Sequence, residues 1–315
     1  MAPRPTTSDR PALVPIRDRL TDLGPLLGPS ATGSLWAWSE AEAGPGGLKA
    51  HGARAWLDAL DLPTHPHRRS PVLTAATTGS HHLSGLARLA AARGRPLAAI
   101  LLPQPPHPHA LANARISLPL LQASWTLTRW SELPPARARA LAELEAQHGH
   151  EAVWLPPGGG GEVWTAALSE ACEQVVRRAA ELQVERIVLA AGSGTTTAAL
   201  WLALGRLGLE LPLLAVSAVP RAALSEAELA RRCRPRAGSD GRPLPTLIVD
   251  PSGTPYGRES PAAQRARDQA QALGLPLDPF YSARALAWCL AEHDGGRLRG
   301  ASLLVCGNEA PPAQS

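Results

Sequence analysis

Lys49 is the only lysine among the 31 lysine and arginine residues of this 315-residue chain. Arginine stays protonated and supplies charge, whereas a desolvated lysine can lose its proton, attack a carbonyl carbon and form a Schiff base. Lys49 also follows a glycine-rich turn, Gly44–Gly47, and stands at the start of a helical pattern. Count and position fit two interpretations: a nucleophilic amine in a site, or a lysine that survived by chance on a solvated helix face.

A second segment with chemical potential reads AAGSGTTT at 190–197, after an apolar strand pattern and before a helical one. Backbone N–H groups at a helix N-terminus bind anions, glycines allow close approach, and serine and threonine hydroxyls add donors. No lysine follows as in a P-loop, and the third glycine of the dinucleotide fingerprint is absent. The segment predicts a phosphate-binding loop, with a capped Gly-Ser turn as the alternative.

The reactive lysine and the phosphate-binding loop are more informative together than apart. A lysine holds an aldehyde, and a helix N-terminus holds a phosphate. A phosphorylated aldehyde cofactor meets both requirements, and pyridoxal 5'-phosphate (PLP) is such a compound.

The elements that must position these residues alternate between strand and helix. Short apolar strand patterns are separated by turns and helical patterns, which is typical of βαβ units and predicts parallel sheets covered by helices. The predicted strands cover 72–76, 97–102, 186–191, 213–219, 246–249 and 302–305. We therefore predict an α/β fold with two parallel-sheet, three-layer domains and the ligand in the cleft between them.

The predicted large domain comprises residues 1–50 and 156–315, and the small domain comprises residues 51–155. The first thirty-odd residues contain many prolines and glycines, and we expect them to lie as an extended arm over the surface.

Several segments, in order, resemble the D-cysteine desulfhydrase and 1-aminocyclopropane-1-carboxylate (ACC) deaminase family, of the fold type II (tryptophan synthase β-like) PLP enzymes. The Lys49 segment resembles the family's Gly-Gly-Asn-Lys, and TAATTGSHH at 74–82 resembles its loop ending in Ser-Asn-His. VWLPPGGGGEVWTAA at 153–167 is similar to its Gly-Gly-Ser…Gly-Tyr segment, and GSGTT at 192–196 to its Gly-Ser-Gly-Gly-Thr loop. Tyr256-Gly257 and DPFYSARA at 278–285 resemble its Tyr-Gly and Asp-Pro-x-Tyr-Thr-Gly-Lys-Ala elements.

The resemblance implies PLP as the cofactor and assigns a role to each matching residue. Lys49 would hold the cofactor's aldehyde and then act as the base that moves the substrate's α-proton. Ser80 would hold the substrate carboxylate, and Tyr281, together with Tyr256, would flank cofactor and substrate; a satisfied core or loop position is the alternative for both tyrosines. The phosphate would be bound by Gly192, Ser193, Gly194, Thr195 and Thr196.

The resemblance therefore predicts a PLP-dependent lyase or deaminase that acts on a small amino acid and forms a homodimer. The favoured reaction is D-cysteine desulfhydrase-like β-elimination, which yields a keto acid and ammonia. ACC deaminase-type ring opening and β-replacement with a second nucleophile are the alternative reactions.

Three departures from the family pattern leave open a catalytically silent or regulatory PLP-binding relative. The asparagine before the lysine is Leu48 here. The asparagine expected beside the cofactor's phenolic oxygen is His81, which can still donate a hydrogen bond. The Thr-Gly-Gly expected beside the pyridine nitrogen reads Cys306-Gly307-Asn308, and a thiol is a weak hydrogen-bonding partner.

Composition disfavours other classes of protein. The net charge is +4, but the chain has no long basic run and no alternation of aromatic and basic residues, so we predict no nucleic-acid partner. Its four cysteines form no CxxC pair, and the His-Pro-His runs at 65–67 and 107–109 lack partners at ligand spacing, so we expect solvated loop histidines and no metal. Without a signal-peptide pattern or an apolar stretch of ~18 residues, we expect a cytoplasmic protein with no membrane partner.

Overall fold

Ten β-strands form two sheets in the part of the chain that the structure describes. The structure is a computed structural model that describes residues 18–29, 32–40, 47–220, 224–233 and 242–307. The strands are β1 (Asp18–Asp22), β2 (Leu35–Glu40), β3 (Val72–Thr77), β4 (Leu97–Leu102), β5 (Ala123–Thr126), β6 (Val153–Leu155), β7 (Arg186–Ala191), β8 (Leu213–Ser217), β9 (Thr246–Val249) and β10 (Ser302–Cys306).

The described α-helices follow most of these strands and cover the sheets. They are α1 (Lys49–Asp61), α2 (His81–Ala91), α3 (Pro108–Ser117), α4 (Leu133–His148), α5 (Glu162–Glu181), α6 (Thr195–Arg206), α7 (Glu226–Cys233), α8 (Pro261–Ala272) and α9 (Ser282–Asp294). Within the described ranges, no helix is both long and apolar enough to cross a membrane.

The larger sheet has six strands in the order β1-β2-β10-β7-β8-β9. β1 pairs antiparallel with β2, and the other pairs are parallel. Strand β10 therefore lies between β2 and β7, so the chain segments after β7 and β10 meet at the same edge of the sheet. This is the edge at which open α/β sheets bind ligands.

The smaller sheet has four parallel strands in the order β5-β4-β3-β6. All four strands come from one stretch of the chain, residues 72–155, which lies inside the predicted small domain. The exact domain boundaries stay a prediction.

Each face of the larger sheet carries its own buried core, because side chains alternate between the two faces of a strand. Leu303 and Val305 of β10 pack into the cluster that contains residues of α5 and α6, whereas Leu304 packs into the cluster with residues of α8 and α9. The smaller sheet is covered in the same way by α2 and α4. The predicted three-layer α/β architecture is confirmed.

The predicted extended arm was wrong for residues 18–29. Asp18–Asp22 is an edge strand, Gly24–Leu26 forms a short 3-10 helix, and Leu23 is fully buried. The strand forms because its backbone completes the ladder with β2 in a register from Asp18↔Glu40 to Asp22↔Trp36. Residues 1–17 lie outside the described part of the chain.

Candidate active site

The candidate site is built where α1 begins beside the end of β10. The backbone N–H of Leu48 donates to the carbonyl oxygen of Gly307 at 3.1 Å, and this bond ties the start of α1 to the segment after β10. Leu48 is buried, and its next neighbour Lys49 is the first residue of the helix. Gly44–Gly46 and Asn308, on either side of this junction, lie outside the described residues.

Lys49 lines a pocket with an empty volume of about 500 Å³, a volume that includes space open to solvent. The loop between β7 and α6, the first residues of α9 and the end of β10 supply the rest of the lining. The lining residues are Lys49, Leu189, Ala190, Ala191, Gly192, Ser193, Gly194, Thr195, Thr196, Thr197, Tyr281, Ser282, Val305 and Gly307. The structure therefore brings the sequence-predicted lysine and all five predicted phosphate ligands into one pocket.

The amine of Lys49 lies in an environment that favours its neutral form. Burial, and secondly the positive charge of Arg232, lower the pKa of Lys49 from 10.5 to about 8. Gly158 packs over this amine: a Cβ at Gly158 would lie 3.5 Å from Nζ and would overlap the Ser193 side chain. A near-neutral amine pKa is what carbonyl chemistry requires of a lysine.

The loop 192–196 has the geometry of an anion site. Gly194 adopts a left-handed φ of 76° immediately before α6, whose first backbone N–H groups have no partner within the helix. The hydroxyls of Ser193 and Thr195 lie 3.0 Å apart, and Nη1 of Arg232 donates to Oγ1 of Thr195 at 3.2 Å. Backbone donors, hydroxyls and a guanidinium thus converge at one helix N-terminus.

The ring of Tyr281 lies against the loop 192–196. A Cβ at Gly192 would lie 2.7 Å from the ring of Tyr281, so only glycine allows the ring to lie against the loop. The carboxylate of Asp278 accepts the backbone N–H groups of Phe280, Tyr281 and Ser282 at 2.7 to 3.1 Å and holds the turn that places the ring.

Tyr281, Tyr256 and Thr77 are connected by a row of hydrogen bonds between their hydroxyls. The hydroxyl of Tyr281 donates to that of Tyr256 at 3.0 Å, and the Tyr256 hydroxyl lies 3.4 Å from Oγ1 of Thr77 at the end of β3. Burial, and secondly the neighbouring Tyr256, raise the pKa of Tyr281 well above 10. Tyr281 is therefore a neutral phenol at neutral pH. The hydrogen bonds through Tyr256 to Thr77 link the pocket to the smaller sheet.

The N-terminus of α2 lies within reach of the charge of Lys49. Ser80 caps this helix, and its Oγ accepts the N–H of Leu83 at 3.4 Å. Burial, and secondly the charge of Lys49, lower the pKa of His82 to about 3, and the same two causes lower the pKa of His81. Both imidazoles are neutral at neutral pH.

His109 corrects one prediction from the sequence. His107 and His109 were expected to be solvated loop histidines, but α3 begins at Pro108 and His109 is buried. Nε2 of His109 lies 2.5 Å from Nε2 of His81, and burial together with His81 lowers the pKa of His109. In the described ranges, no group of three or more His, Cys, Asp or Glu residues could hold a metal ion.

Four predicted site residues lie outside the pocket lining, namely Ser80, His81, Tyr256 and Cys306. Ser80 and His81 stand at the start of α2, within reach of the charge of Lys49, and Tyr256 is hydrogen-bonded to Tyr281. Cys306 is buried in the cluster on the α8–α9 face of the larger sheet, whereas its neighbour Val305 lines the pocket. The roles assigned to these four residues stay predictions.

The donor set fits PLP on the residues present. The pocket offers one nucleophilic amine and a helix N-terminus with hydroxyls for a phosphate. The guanidinium of Arg232 lies outside the pocket lining and is hydrogen-bonded to Thr195, and a Cβ at Gly158 or Gly192 would overlap the Ser193 side chain or the Tyr281 ring. Arg232, Gly158 and His109 were not singled out from the sequence as site residues.

No protein-family model matches the chain. A curated relative is the nocardicin C-9' epimerase of Nocardia uniformis subsp. tsuyamanensis, which is 29% identical over 232 residues that cover 70% of this chain and 71% of that protein. Among solved structures, an ACC deaminase homologue superposes with a TM-score of 0.72 at 21% identity, covering 94% of this chain and 90% of that one. A pyridoxal 5'-phosphate-dependent aspartate racemase superposes with a TM-score of 0.64 at 13% identity, covering 93% and 89%.

The fold is that of the PLP enzymes of fold type II. This fold was predicted from the sequence and is confirmed. The predicted cofactor agrees with these neighbours, whereas the predicted family within the fold type stays a prediction.

Proposed function

We propose that this protein is a PLP-dependent enzyme that removes the α-proton of a small amino acid and acts as a lyase or deaminase. The observation that carries the proposal is that an amine with a lowered pKa and the hydroxyl-rich N-terminus of α6 line the same pocket. The ordered motifs that resemble the D-cysteine desulfhydrase and ACC deaminase family, and the superposition on an ACC deaminase homologue, favour β-elimination as the reaction, with ring opening as the alternative. A cyclopropane substrate has no α-proton, so in ring opening a tyrosine or Lys49 would handle the β-proton instead.

Lys49 would hold the cofactor's aldehyde carbon, and the loop 192–196 would hold its phosphate. When bound, PLP supplies an electron sink that stabilises the charge left at the α-carbon. When it is not holding the cofactor, Nζ of Lys49 would be the base that takes the α-proton, a role that its lowered pKa suits.

Tyr281 would be a proton donor, because a phenol whose pKa is well above its ordinary value stays protonated. In this structure the proton of the Tyr281 hydroxyl lies in its hydrogen bond to Tyr256, so donation to the substrate would require the hydroxyl to turn toward the pocket, while the turn held by Asp278 fixes the ring. Ser80 and the first N–H groups of α2 would hold the substrate carboxylate, since the start of a helix favours an anion. The homodimer remains part of the proposal.

Epimerisation is the second candidate function. Its support is the curated relative, an epimerase, together with the presence of both an amine and a neutral phenol in one pocket. Both functions begin with removal of the α-proton. An epimerase then returns a proton to the α-carbon, whereas a lyase expels a leaving group from the β-carbon.

One experiment separates these functions. The PLP-loaded protein is incubated in D₂O with D- and L-amino acids, and proton NMR follows the α-proton, the keto acid and the enantiomeric composition. We expect loss of the α-proton signal together with keto acid and ammonia. Exchange with formation of the opposite enantiomer identifies the epimerase. Absence of both exchange and keto acid on a broad panel that includes ACC contradicts both functions and favours the silent relative.

The lowered pKa of Lys49 predicts how cofactor capture depends on pH. Only the neutral amine attacks an aldehyde, so the rate at which the apoprotein gains visible absorption with PLP is expected to rise up to about pH 8 and then level off. An ordinary lysine would give a rate that still rises about tenfold per unit near pH 9. Stopped-flow absorbance over this range distinguishes the two profiles, and the second profile would contradict the buried environment of this amine.

A further inference from the structure

Arg232 reaches the phosphate-binding loop from a helix that is distant in sequence. It lies in the last turn of α7, and its Nη1 donates to Oγ1 of Thr195, which is 37 residues earlier in the chain. Its Cδ lies 3.5 Å from where a Cβ on Gly194 would be. The guanidinium is therefore packed against the first turn of α6, and its side chain is only 23% exposed.

The charges around Arg232 leave a surplus of positive charge at the loop. Glu228 is the carboxylate partner of both Arg232, at 2.9 Å, and Arg231, at 2.8 Å. The two guanidinium groups and the one carboxylate of Glu228 together carry a net charge of one positive unit. Arg231 is the more exposed of the two arginines, at 70%. The charge of Arg232 is also felt across the pocket, since it is the second cause of the lowered pKa of Lys49.

The loop 192–196 together with Arg232 offers more positive charge to a dianionic phosphate than the loop offers alone. A helix N-terminus contributes about half a positive charge, whereas a phosphate monoester carries roughly −1.5 to −2 near neutral pH. Charge-assisted hydrogen bonds from a guanidinium to phosphate oxygens are among the strong ones. The partly buried position of Arg232 protects this interaction from screening by salt.

We propose that Arg232 binds the phosphate of PLP and makes this site select the phosphorylated aldehyde over its dephosphorylated form. The inference rests on the proposed function, because it concerns the same cofactor site. It adds a residue that the glycine-rich loop does not contain, and it makes α7 part of the site.

A consequence for Lys49 arises from this charge arrangement. A bound phosphate partly neutralises the charge of Arg232, so it removes part of the repulsion that lowers the pKa of Lys49. By thermodynamic reciprocity, the protonated amine and the phosphate favour each other's presence. Arg232 therefore couples phosphate binding to the protonation of the catalytic amine.

The test compares Arg232→Gln with Arg231→Gln, a matched control that removes the neighbouring cation on the same carboxylate. Each variant and the wild type are titrated with PLP and with pyridoxal, and binding is followed by absorbance. We expect Arg232→Gln to weaken PLP binding at least about tenfold, to leave pyridoxal binding within about threefold, and so to lower the preference for PLP. Arg231→Gln should keep the wild-type preference.

The outcomes separate this inference from the proposed function. If the wild type gains no visible absorption with PLP, the proposed function fails. If the wild type binds PLP and Arg232→Gln keeps the wild-type preference over pyridoxal, only the role of Arg232 is overturned.

A second readout uses pyridoxal alone, with circular dichroism to verify the fold. In Arg232→Gln, the pH midpoint for pyridoxal capture by Lys49 should move upward, because the repelling charge is gone. An unmoved midpoint contradicts the coupling. Should the glutamine variant not fold, Arg232→Met carries the same titrations.

Discussion

Lys49→Ala is expected to abolish the visible absorption of PLP-loaded protein and to slow α-proton exchange at least about 10³-fold. The alanine variant has no lysine side chain anywhere in the chain, so no other lysine can replace the lost amine. Burial opposes the charged amine in the folded state, so this change is not expected to lower the free energy of unfolding. Absorbance, the D₂O exchange assay and thermal unfolding check the three statements.

Lys49→Arg is the matched control for this change, because it keeps a positive charge and removes only the ability to lose a proton and form a Schiff base. It should lose absorption and exchange to the same extent as the alanine variant. Partial recovery of exchange in Lys49→Ala with added methylamine would support the role of the amine as a base. Wild-type exchange in either variant would contradict the account.

Tyr281→Phe is expected to lower kcat about 10²-fold or more and to change KM little, because in the proposed mechanism the phenol would donate a proton during the reaction. The ring remains against Gly192 and the turn held by Asp278 is unchanged, so the visible absorption of bound PLP should persist. Steady-state kinetics with the preferred amino acid and an absorbance spectrum provide both measurements.

Tyr256→Phe is the control that separates donation from orientation. It removes the acceptor of the Tyr281 hydroxyl and leaves that hydroxyl in the pocket, so the loss in kcat should be smaller. If Tyr281→Phe kept the wild-type kcat, or if both variants lost the cofactor spectrum, Tyr281 would not be the proton donor.

The local part of the site could be predicted from the sequence. The loop 192–196 follows an apolar strand and begins a helix, and both features are visible in neighbouring residues. Lys49 stood out because it is the only lysine of the chain. Its placement at the start of α1 agrees with the helical pattern. Strands 72–77, 97–102 and 186–191 were recognisable because buried parallel strands are nearly continuous apolar runs.

The remaining features depend on contacts between distant segments. Arg232 reaches Thr195 over 37 residues, and His81 meets His109 over 28, so no local pattern indicates either pair. Strand β1 reads DRLTD, and such a polar segment becomes a strand only because it pairs with β2. Helix α4 buries only Ala136, Ala140 and Leu144 along sixteen residues, which is a weak periodic signal.

Reduction of the PLP-treated protein with borohydride, followed by peptide mapping, tests the central claim most directly. The reductant turns a Schiff base into a stable amine, and the chain offers one lysine side chain. The account predicts visible absorption before reduction and one modified peptide, with the pyridoxyl group on Lys49. An unmodified Lys49, or label confined to the N-terminal amine, would contradict it.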